Sequence, residues 1–323
     1  MSTDLDSPFS LLNMPVCLDR RAFLKTGILA CAPGLVARVW SAESGGFDLR
    51  YAVGSSIYGN LPLSVILPEV RKTGADFIDL WPRKWGTQRE QVDAMGYDKF
   101  GELLRENGVK VAISTRFDLG PFKLEEEMRF LRIFGGQVIV VGCKGPTGLR
   151  GAPLRAEVKK FVEQMRPHLS AASEAGITIA IENHAGTVIE LPDAIRWLGE
   201  FAGDQPLGVA LAPYHLEQDP VMLAGLIRDL GPKLALFYAW QYGMGCMKPM
   251  PPAEETMQLP GRGKLDFSML LQALADIRFA GWTEIFMHHT PRGLPPFPTV
   301  EPITAELVRS RNYLTEELAR LRT

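Results

Sequence analysis

The stretch that decides the fold is Thr178-Ile179-Ala180-Ile181-Glu182-Asn183-His184. If this segment is extended, alternation places its isoleucines on one face and Ala180, Glu182 and His184 on the other. A strand with one apolar face and one face of small and polar residues is typical of a barrel wall, whose outer side packs on helices. Its polar end predicts a site that combines a carboxylate, an amide and an imidazole. The alternative is a strand end at which these side chains simply meet water.

Composition places the chain among ordinary globular proteins. It has 323 residues, of which 46% are hydrophobic and 22% charged, enough apolar material for a large core. A net charge of −2 without a basic stripe argues against a nucleic-acid partner. Beyond residue 45 there is no apolar run of about 18 residues, so no membrane span is expected in the mature chain. Cys143 and Cys246 lack CxxC spacing, so neither a zinc knuckle nor a disulfide framework is predicted.

The N-terminal region has the features of an export signal. Arg20-Arg21-Ala22-Phe23-Leu24-Lys25 is a twin-arginine pattern, and an apolar run from Thr26 to Ala37 and small residues up to Ala42 follow it. This order resembles a Tat signal, so residues 1–42 are predicted to engage the Tat machinery and direct export to the periplasm. Two alternatives stay open. The segment could be a disordered basic leader, or Ile28-Leu29-Ala30-Cys31 could act as a weak lipobox that anchors the chain at Cys31.

Residues 43–323 show eight apolar, strand-like runs separated by mostly amphipathic segments. The runs are Arg50–Ser56, Phe77–Trp81, Val109–Thr115, Val138–Gly142, Ile177–Asn183, Leu207–Ala212, Leu234–Gln241 and Trp282–His288. Eight strands alternating with helices predict an α/β fold, a (β/α)8 TIM barrel. An open doubly wound sheet is the structural alternative. No GxGxxG follows the first strand, so a nucleotide cofactor is not expected.

Two long segments follow predicted strands and therefore belong to the C-terminal face, where barrel active sites lie. Gly142–Pro153 follows the fourth strand and is rich in Gly and Pro. Gly243–Asp266 follows the seventh strand and carries Met, Pro and Gly. We interpret the second as a partial lid over the site, with plain irregular surface as the alternative.

Several motifs together resemble the sugar phosphate isomerase/epimerase superfamily, with its xylose isomerase-like barrel. They are Ile181-Glu182-Asn183-His184, Pro213-Tyr214-His215, Leu259-Pro260-Gly261-Arg262-Gly263-Lys264-Leu265-Asp266-Phe267 and Phe279-Ala280-Gly281-Trp282. The likeness covers nearly all of residues 43–323 and implies a TIM barrel that acts on a small carbohydrate. It leaves the reaction open, because the superfamily includes isomerases, epimerases, dehydratases, lyases and endonucleases.

The resemblance also implies a divalent metal held by four strand-end ligands, of which this sequence plainly keeps Glu182. The implied Asp falls on Ala212, the implied His on or next to Trp240 and Gln241, and the implied second Glu near Phe286. Alternation places Glu284 and His288 on the same face as residue 286. A rearranged site is therefore predicted from Glu182, His215, Gln241 or Glu284, and His288. Such mixed ligands suit Zn²⁺, Mn²⁺ or Mg²⁺. Loss of the metal with retention of the pocket is the alternative.

Further polar and aromatic residues follow predicted strands and are candidates for substrate binding. The candidates are Asp79, Trp81, Arg116, Lys144, Asn183, Tyr214, Trp240 and Arg262. The aromatic members could stack on a sugar ring, and the charged members could bind its polar edge.

Two functions follow from these residues. The first is an enzyme that abstracts a proton next to a carbonyl of a carbohydrate or keto-sugar, with Glu182 as base, Glu284 as the partner carboxylate and His184 orienting the substrate. Isomerisation, epimerisation and elimination share that step. The alternative is a metal-free sugar-binding barrel, or a keto-sugar lyase that has lost the metal site. The sequence does not indicate an oligomeric state.

Overall fold

A computed structural model of the chain describes residues 46–241 and 251–322. Within these residues, eight parallel strands close into a barrel in chain order, and the first strand pairs with the eighth. The predicted (β/α)8 TIM barrel is therefore confirmed, and the open sheet is wrong. The predicted export signal, with Cys31, lies outside the described residues, and so do residues 243–250 of the predicted lid.

Each of the eight predicted runs contains one strand. The strands are β1 Tyr51–Gly54, β2 Phe77–Leu80, β3 Lys110–Thr115, β4 Val138–Val141, β5 Thr178–Glu182, β6 Leu207–Leu211, β7 Leu234–Ala239 and β8 Trp282–Ile285. Most are shorter than predicted at their C-terminal ends. Trp81, Asn183, Trp240 and His288 consequently lie on the loops just beyond the strands.

Helices fill the intervals between strands and cover the barrel. They are α1 Leu63–Lys72, α2 Gln88–Met95, α3 Tyr97–Asn107, α4 Glu125–Phe134, α5 Gly151–Ala175, α6 Pro192–Ala202, α7 Pro220–Leu230, α8 Ser268–Asp276 and α9 Val300–Arg320. Because α5 begins at Gly151, the loop after β4 is shorter than the predicted Gly142–Pro153. The described part of the loop after β7 contains a 3₁₀ helix, Pro252–Gln258. Among the described helices, none combines the length and apolarity that a membrane crossing requires.

The alternation of β5 sorts its side chains as the sequence predicts. Ile177, Ile179 and Ile181 belong to the apolar core between the barrel and the helices, and each is at most 2% exposed. Ala180 belongs to a second apolar cluster inside the barrel. Full burial of an isoleucine side chain contributes about 1.5–3 kcal/mol, so the outer face fixes which residues of β5 point inward. Glu182, two residues beyond Ala180, therefore lies on the inner side at the end of the strand.

Asn183 extends the pairing of β5 and β6 beyond their last residues. Its side-chain amide donates to the carbonyl of Ala212 at 3.1 Å and accepts from the Ala212 N–H at 2.7 Å. The side chain is fully buried, and both hydrogen bonds replace contacts that a longer strand would make. This engagement corrects the prediction that Asn183 binds substrate. Its role is to hold the loop that carries His215 at a fixed position relative to Glu182.

Candidate functional site

Glu182 and His215 meet at the C-terminal mouth of the barrel. Glu182 is the last residue of β5, and His215 ends a short 3₁₀ turn, Pro213–His215, that follows β6. The Nε2 atom of His215 lies 3.4 Å from Oε1 of Glu182, and the side chains are 1% and 5% exposed. Within the described residues, neither ring nitrogen of His215 has a hydrogen-bond partner. A buried imidazole with two unused nitrogens beside a carboxylate is poised to form hydrogen bonds with a ligand.

His184 completes this group from the loop after β5. Its ring centroid lies 4.1 Å from that of His215. Its Nδ1 atom is 2.7 Å from the carbonyl oxygen of Ala185. A carbonyl only accepts, so Nδ1 carries the proton, and Nε2 of the neutral ring is a free acceptor. The sequence analysis correctly placed His184 on the same side of the chain as Glu182.

Burial controls the protonation of this group. Desolvation raises the pKa of Glu182 to about 7, against smaller opposing effects of His184 and of Arg292. Desolvation lowers the pKa of His215 to about 3 and also lowers the pKa of His184. Near neutral pH, the site therefore combines neutral imidazoles with a carboxyl group that is poised between its two protonation states. This is the state that general acid–base chemistry requires.

His288 and Arg292 approach the same group from the loop after β8. The ring of His288 lies 4.9 Å from the ring of Trp240, and burial holds its pKa well below the usual range. The positive charge of Arg292 lowers the pKa of Glu182 and also that of His184, His215 and His288. Arg292 is thus electrostatically part of the site, although its side chain is exposed. The sequence analysis did not single it out.

Aromatic side chains pack across the barrel beneath this group. Trp81 stacks on Phe286 with centroids 5.0 Å apart, and Tyr214 stacks on Trp240 at 3.9 Å. Each of the four is at most 3% exposed. Trp81, Tyr214 and Trp240 therefore form packed layers of the barrel. This corrects the prediction that they offer open faces to a sugar. Trp85, in the loop after β2, is more exposed and remains available for stacking.

Asp79 and Glu284 face each other deeper in the barrel. Both are fully buried, and Thr115 donates a hydrogen bond to Asp79 at 2.6 Å. Within the described residues, both Glu284 carboxyl oxygens, Oδ1 of Asp79 and the Tyr238 hydroxyl lack hydrogen-bond partners. Glu284 therefore does not reach the mouth as a catalytic partner of Glu182, and Asp79 does not reach substrate. Alternation predicted the correct face for Glu284 but not its depth.

Burial disfavours the ionised forms of both members of this pair. Desolvation raises the pKa of Asp79 to about 7. Desolvation and the nearby Asp79 charge raise the pKa of Glu284 well above its usual range, and Glu182 adds a smaller contribution. The pKa of Tyr238 is also raised, first by burial and then by the charges of Glu182, Glu284 and Asp79. These groups consequently form one electrostatically linked set that extends from the interior to the site.

The three cations predicted to bind substrate lie elsewhere. Arg116 forms ion pairs with Asp118 at 2.9 Å and with the buried Glu127 of α4. Arg262 pairs with Glu306 of α9 on the outside of the barrel. Lys144 is exposed in the loop after β4. The sequence correctly placed these residues after strands, but it did not show which opposite charges their side chains would meet.

Gln241 and Gln258 organise the loop after β7. The Gln241 amide donates to the Leu259 carbonyl at 2.6 Å, and its oxygen accepts from the Leu265 N–H at 2.9 Å. These contacts do not support the prediction that Gln241 binds a metal. Gln258 accepts from Nε1 of Trp240 at 2.9 Å and from the N–H of His288 at 3.0 Å, and it donates to the His288 carbonyl at 2.8 Å. It joins the ends of the loops after β7 and β8.

The residues at the mouth do not fit the implied four-ligand metal site. Ala212, Trp240 and Phe286 occupy implied ligand positions, and none carries a side-chain donor atom of the expected type. Within residues 46–241 and 251–322, no three His, Cys, Asp or Glu side chains are grouped as ligands of one metal ion. The predicted set of Glu182, His215, Gln241 and His288 is therefore not assembled.

The closed eight-stranded barrel identifies the protein as a TIM barrel. Its candidate site lies at the C-terminal ends of the strands, where Glu182 and His215 meet. The chain belongs to the xylose isomerase-like TIM barrel family, whose profile matches residues 67–310. The resemblance drawn from the motifs is thus confirmed at the level of the family. A search of curated protein sequences found no match.

Solved structures share this fold at low sequence identity. The IOLI protein with a bound zinc atom is 15% identical, with a TM-score of 0.61, covering 84% of this chain and 99% of that one. The D-psicose 3-epimerase of Clostridium cellulolyticum H10, solved with D-tagatose, is 14% identical, with a TM-score of 0.60 and coverage of 84% and 99%. A probable 3-DHS dehydratase of Bacillus anthracis is also 14% identical, with a TM-score of 0.60 and coverage of 83% and 99%.

Proposed function

We propose that the chain is an enzyme that abstracts a proton from the carbon next to a carbonyl in a carbohydrate or keto-sugar. Glu182 is the base. The observation that carries the proposal is the buried Glu182 carboxyl, whose pKa of about 7 matches a base that works near neutral pH. Unpartnered nitrogens of His215 lie beside it, at the face where TIM-barrel active sites are found.

The histidines have complementary tasks in this scheme. A neutral imidazole at His215 can donate a hydrogen bond to the carbonyl oxygen and stabilise the enolate that forms when the proton leaves. Nε2 of His184 can accept a hydrogen bond from a substrate hydroxyl. Glu284 and Asp79 lie buried beneath the aromatic layers and have no assigned contact with substrate in this scheme. Isomerisation, epimerisation and elimination all begin with this step.

The substrate class rests on relatives of the same fold. One is an L-ribulose 3-epimerase, and two others are 3-epimerases solved with D-tagatose and with D-allulose. Those proteins act on or bind ketoses, and their low identity to this chain supports the class of substrate rather than a particular sugar. Some relatives carry zinc or magnesium, so the role of a divalent ion is included in the test below.

Exchange of substrate hydrogen with D₂O tests proton abstraction without requiring the product to be known. We expect the protein to incorporate deuterium next to the carbonyl of at least one ketose or keto-sugar, measured by NMR. Glu182→Gln should lower the exchange rate by about 10²–10⁴-fold. Glu217→Gln is the matched control, because Glu217 is exposed two residues after His215. Equal exchange in Glu182→Gln and wild type would overturn the assignment.

A sugar-binding barrel without turnover is the second candidate. It is favoured by Ala212, Trp240 and Phe286, which replace ligands that the resemblance implies. The same exchange experiment, run with and without Mn²⁺, Zn²⁺ or Mg²⁺, separates the two functions. Saturable binding of a sugar with no exchange under any of these conditions would establish the binding protein. Exchange that appears only with an added ion would show that the enzyme requires a metal.

A further inference from the structure

We propose that the ligand of this site is a carboxylated sugar, a uronate, an aldonate or a keto acid derived from one, and that Arg292 binds its carboxylate. The inference deepens the proposed function and rests on it for the location of the sugar. It does not depend on whether Glu182 abstracts a proton. The reasons are the cleft that Arg292 lines, the lack of a partner for its charge among residues 46–241 and 251–322, and the neighbouring polar groups.

The cleft opens beside His288 at the C-terminal mouth of the barrel. Its walls include Ser56 after β1, Trp85 after β2, and His288, His289 and Arg292 after β8. Three strand ends thus converge on one small opening that combines a cation, a hydroxyl and an aromatic ring. The enclosed space is only about 10 Å³, so the opening suits one small polar substituent of a ligand and not a sugar ring.

Arg292 has no opposite charge of its own within the described residues, where it makes neither an ion pair nor a hydrogen bond. Glu182 is affected by the charge of Arg292 but forms no ion pair with it in the described part of the chain. The carboxylate of Glu255 is engaged elsewhere. Glu255 accepts a short hydrogen bond from His289 and another from the Thr290 N–H at 3.0 Å. The sequence of residues 242–250 contains no Asp or Glu. The planar guanidinium of Arg292 can donate two parallel hydrogen bonds to one carboxylate, and its position at the edge of the cleft would allow it to bind a carboxylate of the ligand.

Ser56 supplies a second, independent observation. Its Oγ atom is buried and has no hydrogen-bond partner within the described residues. A buried hydroxyl normally has a partner, and this one belongs to the lining of the cleft that holds Arg292. A ligand carboxylate or hydroxyl in the cleft would accept a hydrogen bond from the Ser56 hydroxyl. Trp85 offers the same ligand an apolar surface.

Titration calorimetry on the mature chain tests the proposal by measuring dissociation constants for a panel of sugar acids. Each acid is compared with its parent neutral sugar and with the corresponding sugar phosphate. D-Galacturonate, D-galactose and D-galactose 6-phosphate form one such set. We expect at least one sugar acid to bind about tenfold or more tightly than its parent, with a preference that weakens as salt is raised.

Arg292→Gln should remove the preference, and Arg292→Lys should retain part of it, since charge is kept but the fork is lost. Arg150→Gln is the control, because Arg150 is an exposed arginine on the same end of the barrel. No preference for any sugar acid, a preference for phosphates, or a preference that survives Arg292→Gln would overturn the inference. Glu182→Gln should keep the preference, so loss of exchange with intact carboxylate binding separates failure of the proposed function from failure of this inference.

Discussion

The carboxyl group of Glu284 fills the space that a side chain at Gly54 would need. A Cβ atom built on Gly54 would lie 2.7 Å from the carboxyl carbon of Glu284. Glu284 is fully buried, so it has no solvent into which to move. β1 ends in glycine because the Glu284 carboxyl group, on the neighbouring strand β8, occupies the space beside Gly54. The two strands pair directly, through Ala52 and Glu284.

Gly54→Ala should therefore lower the free energy of unfolding by about 1–3 kcal/mol, the usual cost of overpacking. Gly54→Ala combined with Glu284→Ala should lose much less than the sum of the two single changes, because the overlap disappears. Urea unfolding of the four proteins measures this coupling. Gly225→Ala is the control, since a Cβ at this position in α7 has no atom within 4 Å. It should stabilise the protein by about 0.5–1 kcal/mol. Additive losses at residues 54 and 284 would contradict the packing argument.

Glu284→Gln should stabilise the protein increasingly as pH rises. The pKa of Glu284 is well above its usual range in the folded protein, so the folded state binds this proton more tightly than the unfolded state. Its favourable contribution is complete below the unfolded pKa and is lost as pH rises toward the folded value. The free-energy difference between variant and wild type should grow by up to about 1.4 kcal/mol per pH unit above pH 5. Unfolding at pH 5, 6, 7 and 8 measures it, with the exposed Glu102→Gln as control.

Asn183→Ala should cost about 2–4 kcal/mol, because it leaves the N–H and the carbonyl of Ala212 without partners in a buried position. Asn183→Asp is the sharper variant. It keeps an acceptor for the N–H but places a second oxygen against the carbonyl, so it should be no better than alanine. Asn107→Ala, which removes one contact to Leu103 at the end of α3, should cost about 1 kcal/mol or less. Comparable losses at residues 183 and 107 would show that the bridge is unimportant.

The rate of deuterium incorporation should increase with pH through about 7 and then level off, because the base is the ionised form of Glu182. Arg292→Gln should move the midpoint to higher pH, since the positive charge of Arg292 lowers the pKa of Glu182. Initial rates between pH 5.5 and 8.5, at sugar concentrations well below saturation, report the free protein and provide both midpoints. A flat profile, or a midpoint that moves to lower pH in Arg292→Gln, would contradict the role of this carboxylate.

The sequence specifies this fold well because the decisive pattern is local. Alternation along residues 178–182 separates Ile179 from Ala180, and the structure places them in the outer and inner clusters as predicted. Alternation along β8 also predicted correctly that the Glu284 side chain faces the barrel interior. Alternation reports the face of a strand but not the height of a residue inside a tilted barrel. Glu284 therefore lies below the aromatic layers and not at the mouth.

The rest of the site depends on contacts that are distant in sequence. Arg116 is held by Glu127 of the following helix, and Gln241 by backbone atoms of Leu259 and Leu265. No periodicity indicates such partners. Arg292 lies in an irregular loop, where neither alternation nor helical spacing predicts side-chain direction. The lack of an acidic neighbour in the sequence around Thr290-Pro291-Arg292-Gly293-Leu294 was the one signal that could have drawn attention to it.

The three hydrogen bonds of Gln258 have a consequence for engineering this barrel. TIM-barrel loops are commonly treated as independent parts that can be exchanged one at a time. Here a single amide side chain joins Trp240, from the end of β7, to both backbone groups of His288, beyond β8. The unit of recombination is therefore the pair of loops. A chimaera that imports one loop without the other would leave His288 unsupported, whereas transfer of both as a cassette would keep the mouth intact.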